Sequence, residues 1–166
     1  SMVITNDGST IYMGSSTGLM VLNALNLLTV SRTDITQPGT VLAVSPNGSE
    51  IVISDPVKQV ISLETSSGSL ITSYGATCPA VPSPTTSLCH AEFAPDSQTL
   101  YIAAGNQVLV YSDYTGWTSI TATTPGNPLL TPVTDVAITV PSDGAYFAGQ
   151  PTTARSYCAI TTPGAT

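Results

Sequence analysis

The chain has 166 residues, of which 42% are hydrophobic and only 8% are charged, and its net charge is −7 because three Lys and Arg stand against ten Asp and Glu. This length and hydrophobic content suffice for a buried core, which excludes a disordered tail. So few cations cannot neutralise a row of phosphates, and no run of about 20 consecutive apolar residues is present, so we expect no nucleic-acid partner and no membrane insertion.

Four polar turns, each followed at once by a short apolar run, divide the chain into four units. The turns are Asn6–Ser9, Pro46–Ser49, Pro95–Gln98 and Ser142–Gly144. They recur at intervals of about 40 to 50 residues, which is typical of the blades of a β-propeller. The repeats span approximately residues 2–34, 40–75, 88–124 and 133–160 of a single segment, 1–166.

Within each unit the apolar residues alternate or run in short bursts, which predicts strands rather than helices. The strands predicted in the first unit are 2–5, 10–13, 19–23 and 28–31. Those of the second unit are 41–45, 51–54, 59–64 and 70–74. Those of the third unit are 89–93, 100–103, 108–111 and 117–122, and the fourth unit supplies only 133–138, 145–148 and 155–160.

These strands predict an all-β fold, a β-propeller with about four blades of four antiparallel strands and an incomplete last blade. An open series of blades leaves apolar sheet faces and unpaired edges at its ends, and folded proteins avoid both. Either the ring closes on itself or another chain completes it. We favour a segment of a larger propeller, with a homodimer as the candidate for completing the ring.

Two stretches carry a family resemblance. Ala43–Ile53 and Phe93–Tyr101, in which Ser97 replaces the usual Gly, resemble the repeat of YVTN-type and WD40-like β-propellers. No Trp-Asp dipeptide ends a third strand, which favours a YVTN or lactonase-like relative over a WD40 protein. The resemblance implies blades, but its residues belong to turns and core and so imply little about chemistry.

The only histidine of the chain is His90. By strand alternation it shares a face with Glu92, and the repeats align Asp135 of the fourth unit with it. First strands of propeller blades line the central channel, so these three candidate binding residues could face one axial cavity. Two carboxylates and an imidazole can hold a divalent metal, as in lactonase-like propellers, but a structural role for His90 between blades is favoured. We therefore predict no catalytic residue, no metal site and no cofactor.

The small number of ionisable residues favours a non-catalytic binding or interaction module, because catalysis generally needs positioned acids and bases. Whether the chain is an enzyme stays open at this point. The long Pro-rich loops between blades, 75–87 and 123–132, are expected to share one face and to bind a protein or glycan there. A lactonase-like hydrolase with a site in the axial channel and a purely structural propeller segment are the alternatives.

The cysteines bear on the cellular compartment. Cys78 and Cys89 bracket a short loop rich in Pro and Ser, and a disulfide between them would leave Cys158 over. Three buried reduced thiols are the alternative. The low charge and the Thr-rich loops favour an oxidising setting, extracytoplasmic or secreted.

Overall fold

The computed structural model of the chain divides into two compact units, residues 1–78 and residues 79–166. The described residues are 1–30, 38–76, 78, 89–104, 107–121, 133–138, 144–149 and 156–161, and from residue 120 onward the description covers the backbone alone. The regular elements in these ranges are all β-strands. Within the same ranges there is no helix with the length and hydropathy needed to cross a membrane.

The first unit begins with a three-stranded antiparallel sheet. Its strands, in spatial order, are β1 (Met2–Ile4), β2 (Thr10–Gly14) and β3 (Leu19–Asn23). The strand pairing sets Met2, Met13 and Met20 in one row across the sheet. The next row, which alternation places on the opposite face, consists of Val3, Tyr12 and Val21.

The described part of the fourth strand predicted for this unit, 28–31, lies beside β3 and forms a β-bridge between Leu22 and Thr29. The backbone of Val30 donates to Val21 O at 2.7 Å, next to that bridge. Leu27 has a φ of 59°, so the chain turns sharply just before Leu28. Residue 31, the last of the predicted strand, lies outside the described residues.

A four-stranded antiparallel sheet follows in the same unit. Its strands, in spatial order, are β4 (Thr40–Val44), β5 (Glu50–Asp55), β6 (Val60–Thr65) and β7 (Leu70–Tyr74). Val41 pairs with Ile53 and Ala43 pairs with Val52, so one extra residue forms a β-bulge in β4. The bulge moves Val41 into the row of Ile53, where its side chain is buried.

The two sheets of the first unit pack against each other through apolar faces. One buried cluster consists of Tyr12, Leu19 and Val21 from the first sheet and Val41, Ile51 and Ile53 from the second. On the backbone level, β1 and β2 lie against β4. Removal of these side chains from water is the main force that holds the two sheets together.

A close backbone approach accompanies this packing. A Cβ atom added to Gly14 would collide with the carbonyl oxygen of Gly39 and lie 2.7 Å from Val41 N. A Cβ atom added to Gly39 would lie 2.8 Å from Ser54 O. Backbone atoms cannot swing aside as a flexible side chain does, so both positions need glycine for space.

The second unit repeats the arrangement. A four-stranded sheet has the spatial order β11 (Gly116–Thr121), β10 (Gln107–Ser112), β9 (Thr99–Ala104) and β8 (Cys89–Phe93). A three-stranded sheet follows with β12 (Val133–Ile138), β13 (Gly144–Gly149) and β14 (Ser156–Thr161). Since β12 lies against β8 and β9, the two sheets of this unit also meet through their first strands.

Apart from 28–31, every predicted strand is confirmed, with each end within one residue of the observed end. The division into four strand groups is also observed, because each group forms one sheet. The treatment of 1–166 as one segment stays a prediction.

Gly14→Ala should destabilise the first unit by about 2 kcal/mol, the usual cost of forcing extra atoms into a packed site. Gly75→Ala is the matched control, because a Cβ atom at Gly75 would meet nothing within 4 Å. Denaturant unfolding monitored by circular dichroism gives both free energies. Equal stability of the two variants would contradict the close approach at Gly14.

Candidate functional site

The turn between β1 and β2 is closed by a network of side-chain hydrogen bonds. The Thr5 hydroxyl donates to Asp7 Oδ1 at 2.6 Å, and the backbone of Ser9 donates to the same oxygen at 3.0 Å. Thr10 N donates in turn to Thr5 Oγ1 at 3.0 Å. Gly8 adopts the left-handed conformation, with φ of 70°, which lets the chain reverse within these few residues.

The turn between β4 and β5 repeats this network with an amide in place of the carboxylate. Ser45 donates its hydroxyl to Asn47 Oδ1 at 2.7 Å, and Ser49 N donates to the same oxygen at 3.0 Å. Gly48 takes the left-handed position with φ of 73°. The β1–β2 and β4–β5 turns therefore share one hydrogen-bonded structure.

A groove opens between these two turns, and we call it the turn groove. Its volume is about 360 Å³. The residues that line it are Thr5, Asn6, Asp7, Ser9, Thr10, Tyr12, Val21, Val30, Pro46, Asn47, Gly48 and Ser66. Hydroxyl and amide groups dominate this lining, and the apolar part comes from Tyr12, Val21, Val30 and Pro46. Among the described residues, no Lys, Arg or His contributes to it.

Of the described residues that line the groove, Asp7 is the one carboxylate. The hydrogen bond from the Thr5 hydroxyl, followed by that from the Ser9 backbone, lowers the pKa of Asp7 below its ordinary value of 3.8. Because the folded-state pKa lies below the unfolded one, ionised Asp7 stabilises the fold above pH 3.8, and this contribution is lost as the pH falls through the lowered pKa. Asp7 therefore contributes a negative charge to the turn groove at neutral pH.

The three residues singled out in the sequence lie in the second unit. His90 and Glu92 are alternate residues of β8, paired with Ala103 and Tyr101, and they occupy one face as expected. His90 is exposed and Glu92 is half-buried. Asp135 lies in β12, the strand that packs against β8, but its side chain is outside the described part of the structure.

A shared cavity of these three residues stays a prediction. Among the residues whose side chains are described, no group of three or more His, Cys, Asp and Glu is placed to hold a metal ion. That search does not reach Asp135. Most of the Pro-rich loops expected to bind a ligand, 75–87 and 123–132, also lies outside the described residues.

The sequence analysis does not predict the turn groove, because it assigns these turns only a structural role between strands. The groove lies at one end of the strands, together with the β1–β2, β4–β5 and β6–β7 turns. The β2–β3 turn lies at the opposite end. The signal that could have found it is the pairing of Thr5 with Asp7 and of Ser45 with Asn47. Each hydroxyl precedes its acceptor by two residues, which is a side-chain turn pattern.

Solved structures share this fold, although no protein-family model and no curated protein sequence matches the chain. The hydrazine synthase of Kuenenia stuttgartiensis superposes with a TM-score of 0.70 at 15% identity, over 96% of this chain and 45% of that one. A TolB-type protein of Agrobacterium tumefaciens gives 0.62 at 16% identity, over 100% of this chain and 59% of that one. The dihydro-heme d1 dehydrogenase NirN gives 0.56 at 15% identity, over 99% of this chain and 37% of that one.

These three neighbours are β-propeller proteins. With the antiparallel sheets described above, they establish that the chain has the all-β propeller fold, with its four sheets as blades and a last blade of three observed strands. The chain spans between 37% and 59% of the length of these neighbours. At sequence identities of 15 and 16%, the similarity shows the fold and gives no information on activity.

Thr5→Val should raise the pKa of Asp7 toward its ordinary value, because the substitution removes the hydroxyl donor while it keeps the shape of the side chain. An NMR titration that follows the carboxyl carbon of Asp7 measures this change. Thr17→Val, in the turn at the other end of the strands, should leave the pKa unchanged. An unaltered pKa in Thr5→Val would contradict the proposed hydrogen bonding.

Proposed function

We propose that this chain is a non-catalytic binding module on a propeller scaffold of the YVTN-type or WD40-like kind, and that the turn groove takes a neutral, hydroxyl-rich ligand such as a glycan. The observation that carries the proposal is the lining of the groove. It combines many hydroxyl and amide groups with one carboxylate and a small apolar part. A sugar, which has both hydroxyl groups and apolar ring faces, matches that combination.

The size of the groove supports a small ligand or the end of a longer one. Ligand sites in proteins usually measure about 300 to 1,000 Å³, and the turn groove, at about 360 Å³, falls at the lower end. The walls are hairpin turns held by their own hydrogen bonds, so little ordering is needed when a ligand binds. Binding at a preorganised site of this kind costs less conformational entropy than binding at a site that must first become ordered.

The negative charge of Asp7 and of the whole chain disfavours anionic ligands. Ionised Asp7 and the net charge of −7 repel anions, so phosphorylated or sulfated ligands are disfavoured. The carboxylate accepts hydrogen bonds, which the hydroxyl groups of a neutral sugar donate. The exposed amide of Asn6, beside Asp7, adds both donors and an acceptor to the site.

An extracytoplasmic location is part of the proposal. Both Cys78 and Cys89 are disulfide-bonded, which supports an oxidising compartment. The low share of charged residues, 8%, is in keeping with a surface covered by hydroxyl groups. Detection of the disulfide by mass spectrometry in protein from its natural source would support this location.

The test is a screen of the purified chain on an array of neutral oligosaccharides, followed by calorimetric titration with the strongest binder. Asn6→Ala and Asp7→Asn should each weaken binding about fivefold, the consequence of losing about 1 kcal/mol of hydrogen bonding. Thr17→Ala, at the other end of the strands, is the matched control and should bind like the wild type.

A neutral ligand should bind with little dependence on salt, because no charge pair is formed. A Lys-rich peptide that binds the groove and is displaced by salt would contradict the glycan and favour a cationic protein partner. Absence of any binder on the array, or binding that both substitutions leave unchanged, would also overturn the proposal.

A further inference from the structure

All three methionines of the chain lie side by side in the first sheet. The strand pairing sets Met13 of β2 opposite Met2 of β1 and opposite Met20 of β3. They therefore form one row across the sheet, on the face that alternation places opposite to Tyr12 and Val21. We call these three residues the methionine row.

The whole methionine row is open to solvent. Met2 is 66% exposed, Met13 37% and Met20 50%, whereas Tyr12 on the other face is 3% exposed. Met13, which lies between the other two, is the least exposed of the three. A small solute can therefore reach all three side chains without any opening of the fold.

The spacing of the strands brings the three sulfur atoms within reach of one another. Neighbouring strands lie about 4.8 Å apart, so Met2 and Met20 are each one strand spacing away from Met13. A methionine side chain is unbranched and has three rotatable bonds, which lets its sulfur atom lean toward a neighbour. When the two outer side chains lean over the central one, the three sulfur atoms can surround a common point.

Three thioether groups around one point are a ligand set for a soft metal ion. Thioether sulfur is a soft ligand that selects Cu(I), whereas Mg²⁺, Ca²⁺ and Mn²⁺ prefer oxygen ligands. Thioethers are also neutral, and a neutral set suits a monovalent ion better than a divalent one. The adjacent row of the same face consists of Ile4, Ile11 and Leu22, whose hydrocarbon side chains offer no competing ligand atom.

We propose that the methionine row binds one Cu(I) ion through its three sulfur atoms. Such a site has no group that must lose a proton before it binds the metal. Cysteine and histidine ligands must be deprotonated, so sites built from them lose affinity as the pH falls. The affinity of the methionine row should instead stay constant between about pH 7 and pH 5, the range in which a histidine takes up its proton.

Titration of the full chain with silver nitrate, followed by NMR of carbon-13-labelled methionine methyl groups, tests the proposal. Ag(I) has the charge and the softness of Cu(I) and keeps its oxidation state in the titration. The methyl signals of Met2, Met13 and Met20 should shift along one common binding curve, because one ion contacts all three sulfur atoms. These signals report the methionine row itself, so Ag(I) that binds the thiol of Cys158 does not disturb the measurement.

Met13→Leu removes the central sulfur atom and keeps an apolar side chain of similar size. It should weaken the affinity for Ag(I) by about tenfold or more, since loss of a group that only supports a metal ligand already costs that much. Ile4→Leu is the matched control, because it is an apolar exchange on the same face that leaves the three sulfur atoms in place. It should bind Ag(I) like the wild type.

Methyl signals that do not shift, or that shift along three different curves, would overturn the proposal. An affinity that is unchanged in Met13→Leu, or one that falls between about pH 7 and pH 5, would overturn it as well. If Met13→Leu does not fold, Met20→Leu decides in the same way at a position that is 50% exposed and therefore more tolerant of exchange.

Discussion

Sheets that are apolar on both faces must be covered on both faces, and this constraint organises the structure. Ile51, Val52 and Ile53 are consecutive residues of β5 that point to alternate faces, yet each is no more than 1% exposed. Isolated hairpins or a single layer cannot meet that requirement, whereas sheets stacked as blades can. The glycine contact between β2 and the start of β4 follows from the same need, because it lets two sheets approach until their apolar side chains meet.

The surface chemistry follows from how the strands are joined. With few charged residues, the chain closes its hairpins through hydroxyl groups, carboxylates and amides, as in the Thr5 to Asp7 and Ser45 to Asn47 pairs. These bonds satisfy backbone groups at the strand ends and fix the turns in place. Two such turns side by side create the turn groove, so the candidate site is a product of the elements that hold the hairpins rather than of a separate motif.

Strand positions could be predicted from the sequence, because alternation and turn residues are local signals and the blades repeat them. The β-bulge in β4 could not, since it depends on how Val41 meets the first sheet. The turn groove could not be predicted either, because it forms where packing brings together turns that lie 40 residues apart in the sequence.

The stacking of apolar sheet faces is tested most directly by nuclear Overhauser spectroscopy on the methyl-labelled chain. Blade packing predicts cross-peaks within one chain between the ring of Tyr12 and the methyl groups of Val41 and Ile53. Absence of Tyr12 cross-peaks to both Val41 and Ile53 would contradict the stacking of these sheets.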